Sequence, residues 1–420
     1  DEVAALYQRR ISHYRRAHAR VDTEDRAPAA VADAVCAVLA AVADLEPALL
    51  PQTAVVALDE RSYRIVVADG ALAQLGAIAR GALPARCTRV AVVADGAIAS
   101  SHGAAAAAAL TAAGLDVVTL AVPPGETSKS FAGYQELCDR LVAAGLDRRS
   151  VVVAIGGGVI GDLAGFAAAT LYRGIPCLQV PTTLLAMVDS AIGGKTGINL
   201  GAGKNLVGAF WQPRAVVCDP LLLATLPARE RQAAFGELVK YGLLDGAALL
   251  AAIEALAPWA AAGDGAPVPP ALTDAILRCA SIKSWVVAGD EREQRGERIL
   301  LNLGHTIGHA IEAAAGYGTV LHGEAVALGL IAACRVSAAV GGCASDLGDR
   351  VGEVIRRAGL SADLDAWLGP GTDVIGRVAV DKKRAGDEVG YIALRAPGDA
   401  YVTPLGLDAL RSFLRPLAAL

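Results

Sequence analysis

Between residues 53 and 218, short apolar strands alternate with alanine-rich helical stretches, and beyond Pro220 the alternation stops. A strand–helix–strand rhythm builds a parallel sheet covered by helices on both faces. Strands buried on both sides read as continuous apolar runs. The runs at 89–95, 115–122, 150–156 and 177–181 have that form. After Pro220, helical periodicity dominates to about residue 370, with a Pro/Gly-rich interruption at Ala261–Pro270 and a late hairpin expected around Gly390–Arg395. The run from Ala30 to Leu39 has helical spacing and good helix formers. The expected organisation is therefore a helical N-terminal extension (1–52), a doubly wound α/β domain (53–218) and a mainly helical domain (219–420), with no internal repeat.

With 420 residues the chain can bury a large core, and with aromatics at only 4% that core must be aliphatic. A net charge of -5 argues against a general nucleic-acid partner. Basic residues that matter should be local and aimed at a small anion. The eight cysteines form no CxxC pair. Scattered thiols of this kind fit a reducing cytoplasm rather than a disulfide framework. No segment has the order of a signal peptide or the length of a transmembrane helix. The basic patch from Arg9 to Arg20 reads as a solvated helix face, or else as a partner surface.

Gly156-Gly157-Gly158-Val159-Ile160-Gly161 satisfies GxGxxG after a strand and before a helix. Glycines there let a backbone approach a pyrophosphate at a helix N-terminus. Asp95 ends an earlier strand, where it either accepts from a ribose hydroxyl or caps a helix. Glu126 and Lys129 follow another strand, and Thr182 and Thr183 a third.

Three of the six histidines fall within eighteen residues, as His305, His309 and His322. His305 and His309 are four apart and share a helix face. Either both ligate a metal, or one ligates while the other carries protons. Glu237 and Lys240, three apart, share a face of another helix and form either a site or a surface ion pair. Two imidazoles and a carboxylate suit a catalytic divalent metal with an open position. Asp189, Lys195, Lys204 and Asn205 sit among glycines in loops suited to phosphate or carboxylate. Arg173, Lys283, Arg298, Lys382 and Lys383 are further cations that could meet an anion.

Five segments taken together resemble the 3-dehydroquinate synthase family of sugar phosphate cyclases. They are GGGVIGDLAGFAAATLYRGI (156–175), VPTTLLAMVDSAIGGKTGIN (180–199), GKNLVGAFWQP (203–213), GELVKYG (236–242) and LNLGHTIGHAIEAAAGYGTVLHGEAVALG (301–329). The resemblance covers roughly residues 53–400. It implies a Rossmann-like N-terminal domain, a mainly helical C-terminal domain and an active site in the cleft between them. It implies tightly held NAD, a zinc or cobalt ion, a sugar phosphate substrate and a homodimer. On that resemblance Glu237, His305 and His322 are the metal ligands, and His309 lies near the substrate phosphate. Asp189, Lys195, Lys204, Asn205, Lys240, Lys283, Arg298, Asn302 and Lys382 or Lys383 match substrate-contacting positions. Arg173 matches an arginine that reaches a neighbouring subunit. Asp95, Glu126, Lys129, Gly157, Gly158, Asp162, Thr182 and Thr183 match the NAD site. The implied reaction turns a seven-carbon ketose phosphate into a carbocycle by transient oxidation, β-elimination of phosphate, reduction, ring opening and intramolecular aldol closure.

The chain departs from the family pattern in two places. Its first ~50 residues have no counterpart in the compact shikimate-pathway enzyme. The family's K-A-E-V-V becomes Lys283-Ser284-Trp285-Val286-Val287, so Trp285 replaces an acid, and one residue is inserted before Gly296. That stretch leads into Arg298, which resembles the arginine that binds the substrate carboxylate. Intact GGKTG and GHTxGH stretches favour the dehydroquinate type over a sedoheptulose 7-phosphate cyclase of secondary metabolism, which is the runner-up. A metal- and NAD-dependent polyol dehydrogenase shares the two-domain plan, but it needs no phosphate cradle.

Overall fold

The structure, a computed structural model, describes residues 17–201, 203–316, 319–369, 372, 374–381 and 388–415. They form two compact units. The first runs to Leu223 and also takes Ile276–Arg292; the second comprises Ala224–Ala275 and the described residues from Glu293 onward. Residues 276–292, which the sequence places in the C-terminal domain, thus pack with the first unit.

The first unit is built on a seven-stranded sheet. Its strands are β1 (Thr53–Val56), β2 (Tyr63–Val67), β3 (Val90–Asp95), β4 (Val117–Val122), β5 (Val151–Gly156), β6 (Cys177–Pro181) and β9 (Ala215–Cys218), in the order β1-β2-β9-β6-β5-β3-β4. Only β1 and β2 pair antiparallel; the remaining pairs are parallel. Side chains alternate across the sheet because the strand period is two. Val90, Val92, Ala94, Val151, Val153 and Ile155 therefore enter one core. Ala91, Val93, Val152 and Ala154 enter the other. The chain leaves β3 toward β4 and then returns to the opposite side of β3 to form β5. That reversal is a topological switch point, and ligands bind outside the carboxyl ends of the strands that flank it. Asp95 ends β3 and Gly156 ends β5, so the glycine loop sits where such a ligand belongs.

The GGKTG and GKN segments, read above as loops, instead form a hairpin. Its strands are β7 (Lys195–Leu200) and β8 (Gly203–Phe210), paired with Lys195 opposite Phe210 and Leu200 opposite Gly203. At the N-terminal end, a helix covers Pro28–Ala40 and a 3-10 turn covers Pro47–Gln52. Ala17–Arg26 is not helical. Arg26 instead pairs with Asp59 at 2.8 Å. Arg9–Arg16 lie outside the described residues.

The second unit is mainly helical, with long helices at Ala228–Asp245, Ala247–Ala261, His305–Ala315, His322–Ala339 and Leu347–Arg357. The late hairpin is present as β10 (Glu388–Ala396) and β11 (Asp399–Gly406). It docks through Ser337, whose hydroxyl donates to the Ala333 carbonyl (2.6 Å) and accepts from the Leu394 amide (2.9 Å). Among the described residues no helix is long and apolar enough to cross a membrane.

Candidate metal centre and nucleotide site

Glu237 is fully buried in the middle of the helix Ala228–Asp245. One of its oxygens, Oε1, lies 3.4 Å from His305 Nε2 and 3.3 Å from His322 Nε2. A tetrahedral ion holding nitrogen and oxygen donors at about 2.0–2.1 Å spaces them about 3.3–3.4 Å apart. The carboxylate oxygen therefore already stands at that separation from each imidazole nitrogen. Donor atoms of all three lie within 4.8 Å of one another.

The far side of each imidazole is anchored. His305 Nδ1 faces the Leu303 carbonyl at 3.2 Å, and His322 Nδ1 faces Glu312 Oε2 at 3.1 Å. Anchors of this kind fix the ring and its tautomer so that Nε2 points at the metal. Glu312, which no motif in the sequence singled out, thus faces the outer nitrogen of His322. It lies seven residues after His305, two turns along the same helix face.

Electrostatics agree with a cation position. Burial alone would push the Glu237 carboxyl up, but the Lys240 ammonium and the two imidazoles hold it well below the usual carboxylate range. Burial drives the His305 imidazole down to about 3, so it is neutral and able to ligate. Burial also opposes charge on His322, yet hydrogen bonds to Glu237 and Glu312 lift it to about 10. Lys240 pairs directly with Glu237, and their side chains are 2% and 0% exposed, which rules out a surface ion pair.

Three close helix contacts bring these side chains together. A Cβ on Gly236, beside Glu237, would sit 2.3 Å from the Gly323 carbonyl oxygen, beside His322. A Cβ on Gly323 would sit 1.8 Å from the Ala233 carbonyl oxygen, and one on Gly329 would sit 1.9 Å from the Gly304 carbonyl oxygen, beside His305. His309 is exposed on the same helix as His305, with ring centroids 5.3 Å from His305 and 5.9 Å from His322. It stands beside the Glu237 triangle rather than in it. Elsewhere in this unit Arg298 is buried, 3.4 Å from Glu293, and Asn302 is exposed. Lys382 and Lys383 lie outside the described residues.

In the first unit Gly157 precedes the helix Gly158–Thr170. Asp162, one turn into that helix, receives Lys129 at 2.5 Å, and Lys129 also donates to Asn205 Oδ1. Glu126 accepts from Asn199 Nδ2 at 2.7 Å, and Asn199 Oδ1 accepts from the Asn205 amide at 2.9 Å. Residues that the family resemblance divides between NAD and substrate are thus one hydrogen-bonded cluster. Lys283 donates to the carboxylate (2.7 Å) and the carbonyl (2.6 Å) of Asp189. Thr182 and Thr183 follow β6, and the Thr182 amide donates to the Gly156 carbonyl at 2.9 Å. Asp95 accepts from the Ala97 amide at 2.9 Å in a local turn; it does not cap the helical turn that follows, whose N-cap is Ile98. Lys195 and Lys204 are exposed on the hairpin, and Arg173 is exposed with a left-handed φ of 67°.

Two family models match consecutive stretches of the chain: 3-dehydroquinate synthase N-terminal over residues 119–233 and 3-dehydroquinate synthase C-terminal over 234–384. The 3-dehydroquinate synthase of Caulobacter vibrioides is 45% identical over 368 residues, covering 86% of this chain and 98% of that protein. The chain belongs to the 3-dehydroquinate synthase family. Its fold is that of the wider group of cyclases. A 2-deoxy-scyllo-inosose synthase complexed with carbaglucose-6-phosphate, NAD+ and Co2+ superposes with a TM-score of 0.74 at 27% identity, over 86% of this chain and 99% of that one. The 2-epi-5-epi-valiolone synthase of Streptomyces hygroscopicus, with NAD+ and Zn2+ bound, gives 0.70 at 27% identity, over 83% and 95%.

Proposed function

We propose that the chain is a 3-dehydroquinate synthase, a phosphate-eliminating cyclase acting on 3-deoxy-D-arabino-heptulosonate 7-phosphate. The observation that carries this reading is the Glu237–His305–His322 triangle, with one carboxylate oxygen 3.3 and 3.4 Å from the two imidazole nitrogens. Its cofactors are NAD and a divalent ion, zinc or cobalt. Together these supply polarisation of a ring hydroxyl and the reversible removal of its hydride.

Glu237, His305 and His322 would hold the ion. Asp95, Glu126, Lys129, Gly157, Gly158, Asp162, Thr182 and Thr183 would hold the dinucleotide, with its pyrophosphate at the N-terminus of the helix Gly158–Thr170. The remaining work belongs to the chain's cations and a few neutral polar side chains. Lys195, Lys204, Asn205, Lys283, Lys382 and Lys383 bind the sugar phosphate, and Lys283 is aimed by its contact with Asp189. Fixed cations stabilise the charge that builds as phosphate leaves, and need no rearrangement to do so. Arg298 binds the substrate carboxylate and Asn302 a hydroxyl. His309, exposed beside the ligand histidines, moves a proton at the phosphate side. Lys240 holds Glu237 ionised and orients it. The working form is a cytoplasmic homodimer in which Arg173 serves the neighbouring subunit.

One observation favours a second reading, a sedoheptulose 7-phosphate cyclase. The segment before Arg298 carries Trp285 in place of an acid and one inserted residue. Phosphate release and product NMR, with the two sugar phosphates offered in parallel to the NAD- and metal-loaded protein, separate the two. Turnover of the heptulosonate alone, with no net NADH, is the expected result. Turnover of sedoheptulose 7-phosphate would mean that the altered segment has re-specified the pocket. Stoichiometric NADH without phosphate release would indicate a polyol dehydrogenase.

A further inference from the structure

The turn that precedes Lys195 is held by residues to which the reading above gives no ligand contact. Gly193 and Gly194 adopt left-handed φ values of 100° and 68°, which favour glycine. The Gly193 amide donates to the Tyr63 hydroxyl at 3.1 Å, and Tyr63 is 1% exposed. The Gly193 carbonyl accepts from Gln212 Nε2 at 3.3 Å, and the Gly194 carbonyl accepts from the Trp211 amide at 2.7 Å. Gln212 also lies against Gly194, where a Cβ would come within 2.7 Å of its amide carbon.

The same Nε2 donates to Glu291 Oε1 at 3.2 Å. Both neighbours are acceptors, which fixes the orientation of the carboxamide. Glu291 is gripped in turn by both terminal nitrogens of Arg61, at 2.5 and 2.8 Å. A two-pronged arginine–carboxylate pair sets direction as well as energy. The chain Arg61–Glu291–Gln212–Gly193 joins the β1–β2 turn, the end of the helix Ala271–Gly289 and the glycine turn.

We propose that Gln212 is a positioning residue that fixes the backbone from which Lys195 projects, and that the Arg61–Glu291 pair aims Gln212. The functional half rests on Lys195 binding the substrate anion. The structural half does not.

The test uses full-length Gln212→Ala, Gln212→Glu and Arg61→Ala, read by amide exchange at Gly193 and by steady-state kinetics. A neutral hydrogen bond is worth about threefold to tenfold in an equilibrium. Gln212→Ala should therefore speed Gly193 exchange and raise KM for the sugar phosphate by about that factor, with kcat little changed. Gln212→Glu keeps the volume, but it cannot donate and meets Glu291 with like charge, so it should do no better. Arg61→Ala should act in the same direction more weakly, and the double variant with Gln212→Ala should fall short of the sum. Unchanged Gly193 exchange in Gln212→Ala, or full rescue by Gln212→Glu, would overturn the proposal. Faster exchange with KM unchanged would leave the turn's anchoring intact and refute the role of Lys195.

Discussion

At the scale of single residues, the centre depends on three protonation states that burial and neighbours set differently. Glu237 is held ionised and His305 neutral, while His322 is lifted to about 10 from an ordinary value near 6.5. A ligating imidazole must be neutral. Loading zinc at pH 7 should therefore release about one proton, from His322, and metal affinity should rise with pH toward 10. Calorimetric titration in buffers of different ionisation enthalpy reads that proton directly. The signs for stability of the metal-free protein are opposite for the two histidines. The raised pKa of His322 contributes stability that is full below 6.5 and is lost as pH rises through 10. The depressed pKa of His305 contributes stability present above 6.5 and lost as pH falls toward 3. In melts across pH, His322→Gln should remove the alkaline loss and leave the acid limb in place. The grouping of these three side chains, which the structure shows, was legible in the sequence because two imidazoles and a carboxylate have few other uses together. Glu312 was not, because a lone acid within an apolar helix resembles any satisfied core carboxylate until its partner is seen.

At the scale of elements, the positions of Glu237, His305 and His322 are set by how closely their helices approach. Gly236 meets Gly323, Gly323 meets Ala233, and Gly329 meets Gly304, each through backbone atoms that cannot move aside cheaply. Gly323→Ala should force two ligand helices apart. Overpacking of this kind costs about 1–3 kcal/mol, so both Tm and zinc affinity should fall. Gly348→Ala is the control: its Cβ would lie 3.6 Å from Cys334, an ordinary contact, and should alter neither. The strands β3, β5 and β6 fall within two residues of the runs expected from sequence, because a buried parallel strand leaves an unbroken apolar signature; β4 does so too, although it is a sheet edge and mostly not buried. The β7–β8 hairpin left no such signature. Half of its strand residues are glycine, lysine or asparagine, and β8 is largely exposed, so composition alone reads as loop. Asn205 takes a φ of 59° within β8, an irregularity that no periodicity foretells.

At the scale of the whole molecule, the sequence marks the change from strand alternation to helices near Pro220, close to the division at Leu223. It does not mark the return of Ile276–Arg292 to the first unit, because a continuous helix carries no sign of where its packing partner changes. The buried thiols of Cys177 and Cys334 are pushed up to about 12 by burial, whereas Cys36 is exposed. Alkylation of the native protein should therefore modify Cys36 first and reach the buried pair only after unfolding, as peptide mapping would show.

In the proposed function one carboxylate and two histidines, Glu237, His305 and His322, hold the catalytic ion, with His309 outside the set. X-ray absorption at the zinc edge of the loaded full-length protein tests this most directly. Scattering from two imidazoles is expected, unchanged in His309→Ala and reduced to one in His305→Ala. A third imidazole that disappears in His309→Ala, or two that survive in His305→Ala, would contradict it.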